Sequence, residues 1–519
     1  MNPKNLAPAL LKDMKSKGVD IALSLEILDM LNDQDQPKPQ AVKAKGVPEI
    51  DGRTVIDLRE VGAAAVREFR YEANAFKARV ESLGLDPKRF LDVWRMEKDQ
   101  VVLTMKGLES LGFALMPRCA YGVLNGGSAT SYGDPKKNSV FGQEVWELLR
   151  SGFEALAPQC FERPKGTAPA YLNPDGSPGA SFLELKMRAR LLLLGKSRDL
   201  GFLDASDLNP LPLYQMTSPA TERPLADFYA RAMQGPYLSE LGKLARLPSS
   251  SWAGASQPLI CAYTHSAEGY PKAVFSRANG MPSHCIALPG GHGQCFRVLA
   301  DTFRQLRKKG VRFAFLGNVD NIGYVPEPRE LALFALSGQP AAFEFAPRSP
   351  MDVKGGVLVR TSQEKLTVVD IGPAISIEDV RELEHQGSTI LFNCASGIFD
   401  LDYLLPRIDS IAKNLPLRVS DQDRSSGKYS QAEQITWEIT EILPSFLAFV
   451  ISKEKRFIAA KLLVDTLLTS GAVKYSTQIP PLLRDTALKL HEGLKELLST
   501  TYGMEIIDER WRGREAQNS

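Results

Sequence analysis

The sequence predicts an α/β protein with a Rossmann-like core, built on a mixed, mainly parallel sheet. From Arg118 onward, short apolar runs alternate with stretches of helical periodicity, which is typical of strand–helix repeats. Several of these runs end in Gly, Asn or Asp, as expected where strands deliver loops to one edge of a sheet. The chain has 519 residues, 44% of them hydrophobic and 24% charged, which is enough for a large core and ordinary for a globular protein.

Each element of this core is predicted from the period of its apolar residues. Runs of four to six apolar residues bounded by turn residues predict strands at 120–124, 213–216, 312–316, 341–346, 356–359, 366–369 and 389–393. Apolar residues that recur every three or four positions predict helices at 182–194, 293–308, 329–336, 377–385, 400–414 and 480–500.

The two ends of the chain are expected to flank the core. Residues 5–31 and 60–83 have helical spacing, and 32–48, rich in Gln, Pro and Lys, is typical of a mobile connector. Residues 138–180 form an insertion for which no structure is predicted. The expected domains are a helical N-terminal region (1–110), the α/β core (111–415) and a small C-terminal α/β to helical region (416–519).

Charge and cysteine content exclude several classes of function. A formal net charge of +2 gives no electrostatic reason to expect nucleic acid or an anionic membrane as a partner. No apolar run is long enough to span a bilayer, and the N-terminus has a polar-faced helical pattern in place of a secretory signal. Six cysteines stand without CxxC or metal-ligand spacing, which favours thiols in a reducing compartment. We expect a cytoplasmic protein with no nucleic-acid or membrane partner.

A glycine-rich turn with lysines behind it, VLNGGSATSYGDPKKN at 123–138, is the feature around which the chemistry is organised. An apolar run ends in Asn125, Gly126 and Gly127, where glycine lets the backbone approach a ligand closely. Successive N–H groups in such a turn form an anion site, to which Lys136 adds positive charge. On spacing alone, a phosphate-binding loop and an ordinary strand-to-helix turn fit equally well.

These residues resemble a family signature. VLNGGSATSYG followed by PK is similar to the LNGGLGTSMG and PK signature of UDP-glucose pyrophosphorylases, and to the related loop of UDP-N-acetylglucosamine pyrophosphorylases. Ala129 stands where the family usually has glycine. The resemblance implies a nucleotidyltransferase core whose loop wraps the triphosphate of UTP, with nucleotide contacts and a catalytic lysine at Leu124, Asn125, Gly126, Gly127 and Lys136.

Two further segments resemble the family's nucleotide pocket. YQMTSPAT at 214–221 is similar to its MTS segment, although a strand end with a Ser/Thr turn explains these residues equally well. LPGGHGQCF at 288–296 is similar to its PPGHGD segment, which lies against uracil, so His292 is expected to bind and not to act as a base. The family's uracil-reading glutamine is expected near 275–282, where Arg277 and Asn279 stand instead. The implied contacts are Met216, Thr217, Ser218, Gly291, His292 and Gly293.

FLGNVDN at 315–321 is an apolar run that ends in Asn and Asp. A carboxylate at a strand end can hold magnesium together with substrate phosphates, whereas a capped turn is the commoner use of such residues. The segment resembles the family's SNIDNLG motif. This resemblance implies that Asp320 is the ligand of a catalytic magnesium ion and that Asn318 contacts the sugar.

The sugar site is expected from two later segments. DVKGGVLV at 352–359 is similar to the family's DVKGG, in which glycines let the chain pass close to the sugar. FNCASGIF at 392–399 occupies the place of its FNTNN element. The implied sugar contacts are Lys354, Gly355, Gly356 and Asn393.

KRFIAAKLLVDTLL at 455–468 resembles the family's SRFLPVKTTSDLLL. By that resemblance Lys461 reaches the phosphates and Arg456 joins it as a catalytic residue. Without the resemblance, both cations read as the exposed side of an ordinary helix.

The motifs follow one another in the family order from Val123 to Lys461, which implies a UTP–glucose-1-phosphate uridylyltransferase. UTP and a hexose 1-phosphate, with glucose 1-phosphate first, are the expected partners, and the oligomeric state stays open. Two alternatives also stay open. The MTS segment favours a UDP-N-acetylglucosamine pyrophosphorylase, and Ala129, the missing glutamine and the altered FNTNN favour a nucleotide-sugar-binding protein with impaired catalysis.

Overall fold

The computed structural model describes residues 6–33, 44–59, 68–127, 129, 132–139, 142–203, 210–245, 252–349, 352–472 and 479–514. The strands are β1 (Ala44–Gly46), β2 (Val55–Asp57), β3 (Glu68–Glu72), β4 (Trp94–Glu97), β5 (Gln100–Thr104), β6 (Cys119–Leu124), β7 (Leu213–Thr217), β8 (Trp252–Ser256), β9 (Leu259–Cys261), β10 (Tyr263–Thr264), β11 (Ala287–Pro289), β12 (Phe313–Asn318), β13 (Ala341–Pro347), β14 (Gly356–Thr361), β15 (Leu366–Asp370), β16 (Leu391–Asp400), β17 (Leu417–Arg424), β18 (Gly427–Gln434), β19 (Leu447–Val450), β20 (Met504–Ile507) and β21 (Arg510–Gly513).

The helices of six or more residues are α1 (Pro8–Ser16), α2 (Ile21–Asn32), α3 (Ala73–Ser82), α4 (Met105–Leu115), α5 (Gln143–Cys160), α6 (Phe182–Asp199), α7 (Glu222–Ala232), α8 (Ser239–Ala245), α9 (Ala300–Lys308), α10 (Pro328–Ser337), α11 (Ile377–His385), α12 (Ile408–Asn414), α13 (Leu463–Leu468) and α14 (Pro481–Glu496). None of the helices within the described ranges combines the length and apolar character needed to cross a membrane.

A central sheet with the strand order β2-β19-β13-β16-β12-β6-β7-β8 organises the fold. Neighbours on this path are parallel, except where β16 runs antiparallel to β13 and β12. Strand β14 pairs with β16 and extends the sheet towards β15 and β1. The predicted class, α/β with a mixed, mainly parallel sheet, is confirmed.

Alternate residues of the central strands enter two hydrophobic layers, one on each face of the sheet. In β12, Phe313 and Phe315 belong to one buried cluster, and Ala314 and Leu316 belong to the other. Helices α4, α5, α6 and α10 contribute to the first cluster, and α9 and α12 contribute to the second. Strands buried on both faces carry apolar side chains at successive positions, which is why these runs were visible in the sequence.

The core elements lie close to their predicted positions, with three differences in extent. The helix predicted at 400–414 consists of two short helical segments, Leu401–Leu404 and Leu405–Arg407, followed by α12. The strand predicted at 389–393 is the longer β16, because it continues between β12 and β13. The helix predicted at 293–308 is broken, since short turns at His292–Gln294 and Cys295–Val298 precede α9.

The N-terminal region is not only helical, and this part of the prediction is wrong. Strands β3, β5 and β4 form an antiparallel sheet, so that residues 68–72 of the predicted helix 60–83 are a strand, whereas 60–67 lie outside the described residues. Pairing with β5 overrides the local helical pattern. The pattern at 5–31 divides into α1 and α2, and Asp20 caps α2 by accepting the Leu23 N–H.

Both ends of the chain reach the core. Strand β2 from the N-terminal region and β19 from the C-terminal region join the central sheet, and β1, at the end of the expected connector, pairs with β14. Residues 34–43 of that connector lie outside the described part of the chain. The insertion after the glycine loop contains α5, and α14 lies within the predicted helix at 480–500. The division at 110 and 415 stays a prediction.

Candidate active site

The candidate site lies at the edge of the sheet where four parallel strands end. Asn125 follows β6, Ser218 follows β7, Gln257 follows β8, and Asp320 lies just beyond β12. Carboxyl ends of parallel strands meet at one edge, where open α/β sheets bind their ligands. Motifs that follow one another in the sequence therefore lie close together at this edge of the sheet.

Asn125 holds the glycine loop to its surroundings. The buried side chain donates from Nδ2 to Gln215 Oε1 at 3.2 Å and accepts the Gly166 N–H at Oδ1, also at 3.2 Å. Gly127 is open, because a Cβ there would meet nothing within 4 Å. Asn125 thus shapes the loop, while Gly127 leaves backbone exposed to a ligand.

Gln257 joins three predicted nucleotide segments. Its backbone N–H donates to Thr217 O at 2.8 Å, and its buried side chain donates from Nε2 to Gly291 O at 2.7 Å. A Cβ on Gly126 would lie 3.1 Å from Oε1 of the same amide. The glutamine expected near 275–282 is absent there, and Gln257 was missed because it follows β8, a strand that was not predicted from the sequence.

His292 lies in the cavity wall as a neutral ring. Burial first, and the nearby Lys461 and Arg418 charges next, lower its pKa to about 4. Nδ1 accepts the backbone N–H of Thr436 at 3.1 Å, so the ring proton is on Nε2. His292 can therefore donate one hydrogen bond and does not act as a base near neutral pH.

Asp320 is the centre of charge in the site. Oδ2 accepts from Lys165 Nζ at 2.5 Å and lies 3.6 Å from Lys461 Nζ. Although burial opposes ionisation, these two ammonium groups hold the pKa of the Asp320 carboxyl at about 2. The carboxylate is therefore ionised at every physiological pH.

The Asp320 carboxylate has capacity left for a cation. Oδ1 is buried and has no hydrogen-bond partner among the described residues. Across the same residues, no group of three or more His, Cys, Asp and Glu side chains could hold a metal. Magnesium is commonly bound by one or two carboxylates together with substrate phosphates. Asp320 fits as a single protein ligand of this kind.

Lys165 was missed, and Lys136 was predicted in its place. Lys136 lies on the short helix Pro135–Asn138 with an exposed side chain, and its backbone N–H donates to Asp134. Lys165 is only 14% exposed and reaches Asp320 directly. Between the glycine loop and the predicted helix at 182–194, PK occurs twice, at Pro135 and again at Pro164. That second PK was the available signal.

Arg456, the third predicted catalytic residue, does not lie with Lys165 and Lys461. Its guanidinium donates from Nε to Glu344 Oε1 at 2.8 Å and from Nη2 to Val325 O at 2.9 Å. Ser396 also donates to Glu344. Arg456 lines cavities other than the one that Lys461 lines, so the geometry makes it part of a buried ion pair.

A cavity of about 880 Å³ brings the predicted sugar residues together with His292 and Lys461. Gly355 has φ 126°, and a Cβ there would lie 2.5 Å from the Phe392 ring, so only glycine fits. Asn393 is held by accepting the Ala395 N–H. The predicted sugar residues that line the cavity are Asn318, Lys354, Gly355, Gly356 and Asn393.

Some predicted nucleotide residues have side chains that point elsewhere. Leu124 and Met216 are buried in the second hydrophobic cluster, and Gly293 packs on the Gln434 backbone. Ser218 ends β7 in a turn, where its N–H donates to Thr221 Oγ1. The side chains of Leu124 and Met216 are therefore not available to a ligand.

Ala129 has φ 52°, a conformation that glycine adopts more easily. Its neighbours Ser128 and Thr130 lie outside the described residues. Ala129 itself is buried in the first hydrophobic cluster, together with Tyr132. The methyl group therefore packs within the protein core.

Asn138 connects the turn after the glycine loop to the helix after Lys461. Nδ2 donates to Tyr132 O at 2.8 Å, and Oδ1 accepts the Val464 N–H at 2.8 Å. The Tyr132 ring lies 5.1 Å from Lys165 Nζ, and its hydroxyl is 2.7 Å from Thr466 Oγ1. These contacts therefore link the residues beside Lys165 to the helix that follows Lys461.

Part of the sequence is similar to one family of known sequences. The sequence model described as UTP--glucose-1-phosphate uridylyltransferase matches residues 271–479, which include His292, Asp320 and Lys461. The UTP--glucose-1-phosphate uridylyltransferase of Solanum tuberosum is 22% identical over 201 residues, which are 38% of this chain and 42% of that protein. The match therefore spans less than half the length of this relative.

Solved structures share the fold. A UDP-N-acetylglucosamine pyrophosphorylase from Trypanosoma brucei, in complex with an inhibitor, has a TM-score of 0.58 at 16% identity and covers 95% of this chain and 90% of its own. A mutant UDP-glucose pyrophosphorylase from Leishmania major with UDP-glucose has a TM-score of 0.54 at 17% identity, with 98% and 83% covered. These similarities show the fold, and with the sequence matches they confirm the resemblance predicted from the motifs.

Proposed function

We propose that this chain, a member of the UDP-sugar pyrophosphorylase family by its match over residues 271–479, is a UTP–glucose-1-phosphate uridylyltransferase. One observation supports this most. Lys165 and Lys461, which are 296 residues apart in sequence, converge on Asp320 at the strand edge where the glycine loop also ends. Two cations and one buried carboxylate suit a reaction that transfers a phosphoryl-type group.

The reaction needs positioning and charge stabilisation more than covalent chemistry. A phosphate oxygen of the sugar phosphate attacks the α-phosphorus of UTP in line, the bond to the β-phosphate oxygen breaks, and pyrophosphate leaves. Lys165 and Lys461 stabilise negative charge on the transferred and leaving groups. Magnesium, held by Asp320, supplies further charge neutralisation when bound. The reverse reaction uses the same contacts.

The base site is proposed around Gln257. Its side-chain amide lies next to Gly126 and Gly291, and its backbone N–H donates to Thr217 O. Gln257 is therefore proposed to have the role of the family's uracil-reading glutamine. An amide offers both a donor and an acceptor, as the uracil edge requires. The Nε2–H of His292 is a neutral donor in the wall of the adjoining cavity.

UTP and a series of sugar 1-phosphates, with pyrophosphate release as the readout, test this proposal. We expect turnover with glucose 1-phosphate and magnesium, and none without a divalent cation. Preference for N-acetylglucosamine 1-phosphate, which the MTS segment at Met216–Ser218 favours, supports the alternative of a UDP-N-acetylglucosamine pyrophosphorylase. Tight UTP binding without pyrophosphate release from any sugar phosphate supports the impaired binding protein and contradicts the enzyme.

A cytoplasmic address is part of the proposal. The six cysteines are buried, unbridged thiols, which suits a reducing compartment. No nucleic-acid or membrane partner is proposed.

A further inference from the structure

One end of the 880 Å³ cavity is walled by an arginine between two carboxyl groups. Arg418, on β17, donates from Nη1 to Asp370 and from Nε to Glu438, and all three side chains line the cavity. The sequence motifs singled out none of them.

This cluster adjoins the predicted sugar wall. Asp370 is the register partner of Gly356 in the β14–β15 pair. A Cβ on Gly356 would lie 3.5 Å from Asn393 Cβ. Asp370 therefore belongs to the same wall as the two predicted sugar contacts, and it brings Arg418 to them.

Two carboxyl groups fix the position of Arg418, and part of its hydrogen-bonding capacity stays open. Its side chain is 40% exposed, and within the described part of the chain no partner meets the two N–H groups of Nη2. Because Nε and Nη1 are both bonded to carboxylates, the plane of the guanidinium is fixed. The cavity therefore contains a rigid pair of donors with acceptor oxygens on either side.

This arrangement favours one class of sugar. A hydroxyl group both donates and accepts, so it can bond Arg418 and a flanking carboxylate together. Arg418 is already paired with Asp370 and Glu438, so the cluster has no net positive charge to attract a sugar carboxylate, and the guanidinium between the two carboxyl groups opposes an ammonium group. We propose that Arg418 is a specificity residue that binds the hydroxyls of a neutral hexose 1-phosphate. This inference rests on the proposed uridylyl transfer.

Kinetics of Arg418→Ala and Arg418→Lys test it. Loss of hydrogen bonds to a charged group typically weakens binding roughly tenfold to hundredfold, so we expect the KM for glucose 1-phosphate to rise by that factor. The KM for UTP should change less than about twofold. Arg418→Lys keeps the charge without the planar fork, and we expect an intermediate KM. If Arg418→Ala does not fold, as judged by its thermal melt, the lysine variant alone carries the test.

Arg424→Ala is the matched control, because Arg424 ends the same strand with an exposed side chain that contacts only Gln422 among the described residues. It should leave both KM values unchanged. An unchanged sugar KM in Arg418→Ala, an equal rise in the UTP KM, or a wild-type preference for glucuronic acid 1-phosphate overturns the inference. A wild type without turnover on any sugar phosphate instead refutes the proposed function, and the inference falls with it.

Discussion

The short segment 453–461 contributes a cation to each of two charged clusters. The clusters differ in whether their polar atoms all have hydrogen-bond partners. In one, Arg456 pairs with Glu344, which also accepts from Ser396, and the guanidinium reaches Val325 O as well. In the other, Asp320 Oδ1 has no partner among the described residues, and Lys461 is 63% exposed. A cluster whose members bond one another stabilises the fold, whereas one with an open acceptor and an exposed cation is available to a substrate.

The largest expected effect is on stability. Arg456→Ala leaves Glu344, which is 2% exposed, as an unpaired buried charge. Removing one partner of a buried pair typically costs about 3–5 kcal/mol in the free energy of unfolding, which denaturant titration measures. Arg307→Ala breaks an exposed pair with Asp402 and should cost less than about 1 kcal/mol. An Arg456→Ala variant with wild-type stability and a hundredfold lower rate would return Arg456 to the catalytic group.

Next come rate losses in the cluster around Asp320. Lys461→Ala and Lys165→Ala should each lower kcat by roughly 10²- to 10³-fold, because each removes a cation that stabilises charge on the transferred group. Asp320→Ala should cause a loss of similar size, because it removes the ligand proposed for magnesium. Pyrophosphate release at saturating substrates measures this, with thermal melts to confirm folding.

Lys136→Ala is the matched control for Lys165→Ala, since both lysines follow a proline in a PK pair. Its exposed side chain predicts a rate within about twofold of wild type, as is usual for surface substitutions. Equal losses in the two variants would show that the first PK also serves the phosphates.

A smaller effect is expected at the base site. Gln257→Ala removes an amide that contacts Gly291, and we expect the KM for UTP to rise about tenfold, the cost of one well-made hydrogen bond. The ratio of kcat/KM for UTP to that for CTP should fall as well. If the KM rises while the UTP to CTP ratio stays constant, Gln257 only supports the loop.

The smallest expected effect concerns pH, because we expect His292 to make no contribution to the pH dependence of kcat/KM. Because the pKa of His292 is lowered to about 4, the ring takes up its proton only as pH falls well below the ordinary value of 6.5. The ratio of kcat/KM between wild type and His292→Gln should therefore be constant from pH 5 to 8. An inflection near pH 6.5 in that ratio would show that His292 titrates during turnover.

The elements of the core and the residues at strand ends were predictable from the sequence. The place of Asp320 at the site could be predicted because buried strands have a visible apolar pattern and because loops after parallel strands share an edge. His292 and Gly355 were predicted only from the family resemblance, since His292 follows β11, which pairs antiparallel with β9 outside the central sheet.

What could not be predicted depends on partners far away in sequence. Glu344 lies 112 residues before Arg456, and Lys165 lies 155 residues before Asp320, so neither pair has a local signal. Strand β3 was predicted as helix because its period is helical, while its partner β5 decided the outcome. The period of apolar residues can be read from one segment alone, whereas an ion pair or a strand pairing depends on two segments that are distant in sequence.

Asn138 has a consequence for substrate binding. Its one amide bonds the turn that follows the glycine loop and the first turn of α13, two residues beyond Lys461. Displacing the loop therefore displaces the helix that follows Lys461. Coupling between two sites is reciprocal in free energy. If ordering of Lys461 strengthens triphosphate binding in the proposed reaction, triphosphate binding stabilises the ordered Lys461 by the same free energy.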